Sequence, residues 1–191
     1  MGLVKNLMGT GLPVQTAKAL GNVPNFEGQI GIGGTMLTVT AAELNRLADV
    51  SGRIVAATAA TLTITEATHE GKTVTLDRAA GITVTLPAAT GGGARYRFYT
   101  KTTVTSNNHV VQVVGNDVMK GTAWATQDAA DTAVAFETAA DSDTITMNGS
   151  TKGGLIGDVI ELEDVATDTW SVQCFLQATG DEVTPFSAAV V

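Results

Sequence analysis

The chain has 191 residues, a length that suits one domain or one domain with an arm. Only 16% of the residues are charged, and glycine, threonine and alanine together contribute 21 + 30 + 27 = 78 residues. A coiled-coil protein would be rich in Glu, Lys, Leu and Arg, so this composition excludes that class. With 11 basic and 19 acidic residues and a net charge of −8, the chain also lacks the cationic excess that neutralises phosphates. We therefore expect no nucleic-acid partner.

The sequence also argues against a membrane span and a disulfide framework. No apolar run approaches the roughly 18 residues that a spanning helix needs, and the first residues do not form a secretory signal. Cys174 is a single cysteine, so it cannot form an internal disulfide. It lies in the alternating run 169–176, which predicts a small buried hydrophobic side chain at this position.

Residues 1–39 differ from the rest of the chain because they contain 8 of the 21 glycines, together with Pro13 and Pro24. Helices and strands cannot extend far when glycine and proline recur this often. A simple linker, however, would contain fewer apolar residues than this segment does. We interpret this segment as an extended, glycine-rich N-terminal arm that becomes ordered on a partner surface, and a disordered tail is the alternative. Its candidate interface residues are apolar: Leu3, Val4, Leu7, Leu12 and Val14.

Residues 40–52 predict one short helix and its connector. Thr40 and Glu43 have the spacing of a capping box, in which each side chain binds the other residue's backbone N–H. Leu44, Leu47 and Val50 form one apolar stripe on such a helix. A helix of about ten residues is marginal alone, so we expect the stripe to pack against the body or against its own copies.

From residue 53 onward the apolar period changes to two, which is typical of strands. Turn-forming residues separate the alternating segments at spacings near ten residues, so residues 53–191 predict an all-β, antiparallel β-sandwich or barrel that is jelly-roll-like. The two Thr-Val-Thr-Leu segments are expected to be adjacent strands, and because the repeat does not continue, we expect no solenoid. The nine predicted strands are 61–65, 73–76, 83–86, 95–99, 109–114, 133–136, 143–147, 158–162 and 169–176.

Charge is unevenly distributed along the chain. Residues 71–125 have 6 basic and 2 acidic side chains, a net charge of +4, whereas residues 126–191 have 1 basic and 12 acidic side chains, a net charge of −11. The simpler interpretation is a solvated acidic face. The alternative is that basic strands of one subunit meet acidic loops of another and so direct assembly.

No catalytic constellation is recognisable in the sequence. His69 and His109 have no paired cysteine, and the Glu66–His69 interval falls at a strand-to-turn junction, where the side chains are expected to point to opposite faces. Acidic residues between 158 and 168 are compatible with calcium, but a strand that presents acids outward explains them more simply. Trp124 and Trp170 are compatible with a sugar-stacking platform, although core packing or an interface is simpler. We expect no enzyme activity, no cofactor and no metal.

Five segments of the chain carry a resemblance to known proteins: 38–52, 82–91, 96–100, 108–111 and 178–187. The first contains the predicted helix and reads Thr-Ala-Ala-Glu-Leu-Asn from Thr40, and it is similar to short helices in virion proteins of tailed bacteriophages. The later segments resemble the β-domain of phage head decoration (cement) proteins. Related helices also occur in tail fibres, so the choice between head and tail stays open.

The resemblance implies a β-rich body, often trimeric, that binds the outer surface of a capsid and stabilises the shell lattice. We therefore expect a structural virion protein, a homotrimer whose partner is the major capsid protein. The arm is expected to lie across neighbouring shell subunits, and the stripe Leu44, Leu47 and Val50 at a three-fold axis or against the body. The alternative is a tail-fibre or receptor-binding β module with a carbohydrate-sized cleft near a tryptophan.

Overall fold

The computed structural model describes residues 31–32, 35–36, 52–128 and 132–190 of the chain. The chain divides into two compact units, Met1–Ala48 and Asp49–Val191. In the first unit, the strands β1 (Gly31–Ile32) and β2 (Thr35–Met36) pair antiparallel. The rest of the predicted arm and the whole predicted helix lie outside the described residues.

The second unit is an all-β sandwich, as the sequence predicts. A seven-stranded sheet has the spatial order β10-β9-β13-β12-β7-β5-β3, and it packs against a five-stranded sheet with the order β14-β11-β8-β6-β4. One helical turn, α1, interrupts the strands at Glu66–His69. The strands are β3 (Ile54–Ala57), β4 (Thr61–Thr63), β5 (Thr73–Leu76), β6 (Thr83–Thr85), β7 (Arg95–Thr100), β8 (His109–Gln112), β9 (Val118–Gln127), β10 (Ala133–Glu137), β11 (Thr144–Met147), β12 (Val159–Ala166), β13 (Thr169–Ala178) and β14 (Phe186–Ser187).

In the first half of the sandwich the chain follows a short superhelical path that alternates between the two sheets, and we call this part the coil. Strands β3, β5 and β7 are parallel neighbours in the seven-stranded sheet. The intervening strands β4, β6 and β8 are parallel neighbours in the five-stranded sheet. The two Thr-Val-Thr-Leu segments therefore lie in different sheets rather than side by side. Parallel pairing requires a crossover, and here the opposite sheet supplies it.

The second half joins distant strands through long ladders. Strand β13 pairs parallel with β9 over ten residue pairs and antiparallel with β12. Strand β9 was not among the predicted strands, because its inward positions include the small residues Gly121, Ala123 and Ala125. Small side chains give a weak alternation signal. At Gly121 a Cβ atom would lie 1.8 Å from the Val172 carbonyl oxygen, so only glycine allows the two backbones to approach this closely.

The core lies between the two sheets and contains almost all the buried apolar side chains of the described residues. The seven-stranded sheet contributes the largest of them, including Trp170, Tyr96 and Phe98, each no more than 2% exposed. The rings of Tyr96 and Trp170 contact each other with their centroids 5.7 Å apart. Cys174 is fully buried in this core, which confirms the prediction for its thiol.

Three features of the fold correct the sequence-based expectation. The sheets are mixed rather than antiparallel throughout, because the coil and the β9–β13 ladder pair their strands in parallel. All nine predicted strands are present, but β3, β9 and the two-residue β14 were not predicted. The segment Glu66–His69 forms a helical turn, α1, instead of a strand-to-turn junction.

Candidate functional site

The candidate site is the outer face of the seven-stranded sheet, which is the face turned away from the five-stranded sheet. Successive side chains of a strand point to opposite faces, so every second residue lies here. In β13 the positions alternate between fully buried and solvent-accessible along the whole strand, from Thr169 to Ala178. The sandwich therefore supplies a broad, rigid surface whose residues are set by strand register.

An apolar row crosses this face from strand to strand. Trp124 of β9 is the register partner of Phe175 of β13, which in turn is the partner of Val159 of β12. Val159 is opposite Tyr99 of β7. The residues Trp124 and Phe175 are 49% and 52% exposed, while Val159 and Tyr99 are partly buried. We call these four residues the aromatic row.

A charged groove of about 400 Å³ lies on the same face, toward the strand ends near Gly71. Two cross-strand ion pairs line it: Arg95 Nη2 is 2.8 Å from Glu163 Oε1, and Arg97 Nε is 3.3 Å from Glu161 Oε1. These side chains are between 39% and 72% exposed, so each pair adds little to stability, about 0 to 1 kcal/mol. The groove consists mainly of ordinary cross-strand contacts on a solvated sheet.

The acidic segment 158–168 does not present all its acids outward. Glu161 and Glu163 do face solvent, but Asp158 and Asp164 are 1% and 2% exposed. Asp158 accepts hydrogen bonds from the backbone N–H groups of Gly154, at 2.7 Å, and Gln177, at 2.8 Å. Desolvation by burial nevertheless raises the pKa of Asp158 above its ordinary value. Asp158 therefore joins the loop that contains Gly154 to strand β13.

Asp164 holds a second loop, but its pKa is lowered, whereas the pKa of Asp158 is raised. Its two carboxylate oxygens accept hydrogen bonds from the backbone N–H groups of Thr90, Gly91 and Gly92 and from the Thr90 hydroxyl. Burial alone would raise the pKa of Asp164, but these donors outweigh it and hold the pKa below 3.8. Both buried aspartates therefore act as structural anchors for backbone loops.

The two histidines are buried structural residues. His69 ends α1, and its Nδ1 atom lies 3.0 Å from the Thr65 backbone nitrogen. His109 is fully buried with its Nε2 atom 3.5 Å from the Thr102 carbonyl oxygen, and desolvation lowers its pKa. Across residues 52–128 and 132–190, no group of three or more His, Cys, Asp or Glu side chains is arranged to hold a metal ion.

The two tryptophans that the sequence singled out have different environments. Trp170 has no exposed surface and packs in the core, so it is not available for stacking on a ligand. Trp124 is exposed on the outer face. Phe175 was not singled out, although the alternation of 169–176 places it on the same face as Ser171 and Gln173. The alternation along this strand is therefore the sequence signal that predicts Phe175 on the outer face.

The predicted interface residues of the arm and the helix lie outside the part of the chain that the structure describes. They are Leu3, Val4, Leu7, Leu12, Val14, Leu44, Leu47 and Val50. The described strands and α1 include no helix with the length and apolarity needed to cross a bilayer. In comparisons with family models, curated proteins and solved structures, nothing matches this chain.

Proposed function

We propose that this chain is a structural virion protein that binds the outer surface of a phage capsid and stabilises the shell lattice. In this proposal it is not an enzyme, it acts as a homotrimer, and its partner is the major capsid protein. The observation that carries the proposal is the aromatic row, in which Trp124 and Phe175 stand half-exposed on adjacent strands. The resemblance of several sequence segments to phage decoration proteins supports the choice of partner.

The aromatic row has the properties of a protein-binding surface. Contiguous apolar patches on an exposed face mark interaction sites. Tryptophan is also enriched among the residues that dominate the binding energy of protein interfaces. Four adjacent strands hold the row in place, so little conformational entropy is lost when a partner packs on it. Polar side chains such as Gln173 and Gln177 border Phe175 and would form the rim.

Repetition would strengthen such a contact. A decoration protein binds many equivalent positions on a closed shell, and within one oligomer several copies of the same weak contact engage together. The apolar residues of the predicted arm, among them Leu3 and Leu7, would add further contacts. The proposed function therefore requires a rigid body and adhesive surfaces rather than reactive groups.

The proposal is tested by cosedimentation of the purified full-length protein with capsids that lack it. We expect saturable binding, and we expect the double variant Trp124→Ser/Phe175→Ser to bind at least about tenfold more weakly, because two anchoring rings are lost. Val183→Ser is the matched control, since Val183 is 43% exposed but lies outside the aromatic row. Immunogold labelling of virions locates the protein on the head or the tail. A wild-type protein that binds no capsids contradicts the proposal.

A second candidate is a tail-fibre or receptor-binding module, and the surroundings of Phe175 favour it. Carbohydrate sites combine an aromatic ring with amide side chains, and Gln173 and Gln177 flank this ring along β13. Titration with host surface polysaccharide separates the two functions. Binding that Gln173→Ala weakens, together with tail labelling, supports the receptor-binding role, whereas capsid binding alone supports the decoration role.

A further inference from the structure

Within residues 52–128 and 132–190, no strand pairs with the outer side of either edge strand of the seven-stranded sheet, and we call these two edges open. Strand β3 pairs only with β5, and strand β10 pairs only with β9, among the strands of residues 52–128 and 132–190. Natural proteins usually protect such edges with charged side chains, proline or bulges. Strand β3 reads Ile-Val-Ala-Ala, and β10 reads Ala-Val-Ala-Phe-Glu, so most of their length carries none of these protections.

The main-chain groups that point away from the sheet can be identified from the bonds already formed. Arg53 and Ala57 accept hydrogen bonds from Thr73 of β5 and from Asp77, the residue after β5. The alternate residues Ile54 and Ala56 therefore direct their N–H and C=O groups to the open side of β3. In the same way, Thr132 and Thr138 bond to β9. The open side of β10 therefore presents the main-chain groups of Ala133, Ala135 and Glu137.

The two edge strands, β3 and β10, run in opposite directions. Following the pairings across the sheet, β10 is antiparallel to β9, β9 is parallel to β13, and two further antiparallel steps lead to β7. Strands β7, β5 and β3 are parallel. Strand β3 is therefore antiparallel to β10. A second copy rotated about an axis along the strands would bring its β10 antiparallel to β3 and keep the outer face outward.

The two edges are also complementary in chemistry. Ile54 of β3 is 67% exposed and Val134 of β10 is 36% exposed, so each edge leaves an apolar side chain in water. Arg53 and Lys72, beside β3, form no ion pair within the described residues. The charged residues around β10 are mostly acidic: Asp128, Glu137 and Asp141, with Lys120 as a basic exception.

We propose that β10 of one copy adds as an antiparallel strand to β3 of a second copy, so that the seven-stranded sheet continues from subunit to subunit. Such a contact is heterologous, and it closes into a ring when the rotation between copies allows it. A trimer is the ring size that agrees with the sequence-based expectation. This inference does not rest on what the assembled protein binds.

In one such register the open main-chain groups bond to each other and the core-facing apolar side chains of the two strands meet. With Ala56 opposite Ala135, Ile54 is opposite Glu137, and both pairs exchange hydrogen bonds through groups that point to the open edges. The core-facing Val55 then lies opposite Phe136 of the second copy, and Ala57 lies opposite Val134. Residues directly opposite in an antiparallel pair share a face, so the apolar sides of both strands meet.

Cross-linking of introduced cysteines tests the contact in the full-length protein. Cys174 is fully buried, so a short bismaleimide reports only on introduced thiols. The variant Ala56→Cys/Ala135→Cys should give covalent oligomers up to the ring size on denaturing gels, and each single variant should stay monomeric. A double variant that stays monomeric overturns the proposal. Dimers from Ala56→Cys alone overturn it too, because they indicate β3 paired with β3.

Sedimentation velocity supplies a second measurement. Ala135→Pro removes an N–H that points to the open edge while leaving the β9–β10 bonds in place, so we expect about a tenfold rise in the dissociation constant. Thr61→Pro is the matched control, because it removes an edge-facing N–H from β4 in the other sheet. A monomeric wild type, or an equal effect of both prolines, contradicts the proposal.

Discussion

The carboxylate of Asp164 accepts a 2.6 Å hydrogen bond from the backbone N–H of Gly91, a residue 73 positions earlier in the chain. The same carboxylate binds the N–H groups of Thr90 and Gly92. One side chain on β12 thus fixes the loop that leads into β7. Because all of these donors favour the ionised form, stability and pH are coupled at this position.

We expect Asp164→Asn to lower the free energy of unfolding by about 2 kcal/mol at pH 7, because bonds to a charged acceptor are replaced. The pKa of Asp164 is below 3.8 in the folded protein, so its contribution is present above pH 3.8 and lost as pH falls through the folded value. Urea unfolding at pH 7 and pH 3 measures the difference, which should shrink in acid. The exposed Asp168→Asn is the control, and an unchanged difference at both pH values contradicts the prediction.

Replacement of Gly121 by alanine should destabilise the sandwich by more than about 3 kcal/mol. The new Cβ would overlap the Val172 carbonyl oxygen and push β9 away from β13. Gly52→Ala is the matched control, since the nearest atom to its Cβ is the flexible Lys72 ammonium at 3.9 Å. Thermal unfolding of both variants provides the comparison. If Gly121→Ala unfolds at the wild-type temperature, the close approach of the two strands is incorrect.

The same substitution at the two tryptophans should have very different effects on stability. Trp170→Ala removes a fully buried ring that contacts Tyr96, so we expect a loss of about 3 to 5 kcal/mol. Trp124→Ala removes a half-exposed ring, and we expect a loss below about 1 kcal/mol. Denaturant unfolding at neutral pH measures both. Equal losses would mean that Trp124 is part of the core and not available to a partner.

Asp143 anchors the end of the described chain. Its carboxylate accepts hydrogen bonds from the N–H groups of Ala189, at 2.8 Å, and Val190, at 3.1 Å. Asp143→Ala should therefore release this segment and lower the free energy of unfolding by about 1 to 3 kcal/mol. Hydrogen–deuterium exchange followed by mass spectrometry should show faster exchange in the peptide that contains Ala189 and Val190. The variant Asp141→Ala, at an exposed position, should leave this exchange at the wild-type rate.

Part of the candidate site was predictable from the sequence. The sequence makes Trp124 a candidate for an exposed aromatic surface, and the alternation around Phe175 assigns that ring to the outer face. Their adjacency was not predictable, because it depends on the parallel ladder between β9 and β13. The roles of Asp158 and Asp164 were not predictable either. The donors to Asp164 lie in a loop more than seventy residues earlier, and Asp158 joins its own loop to the neighbouring strand through Gln177.

The sequence by itself determined most of the segments that become strands, but not β3, β9 and β14. A period of two is a local property, and every one of the nine alternating segments forms a strand. Only the tertiary structure decided the partner and direction of each strand, because pairing joins residues such as Ala123 and Cys174 that are far apart in the chain. The coil, the aromatic row and the two open edges all follow from those pairings, so none of them can be read from local pattern.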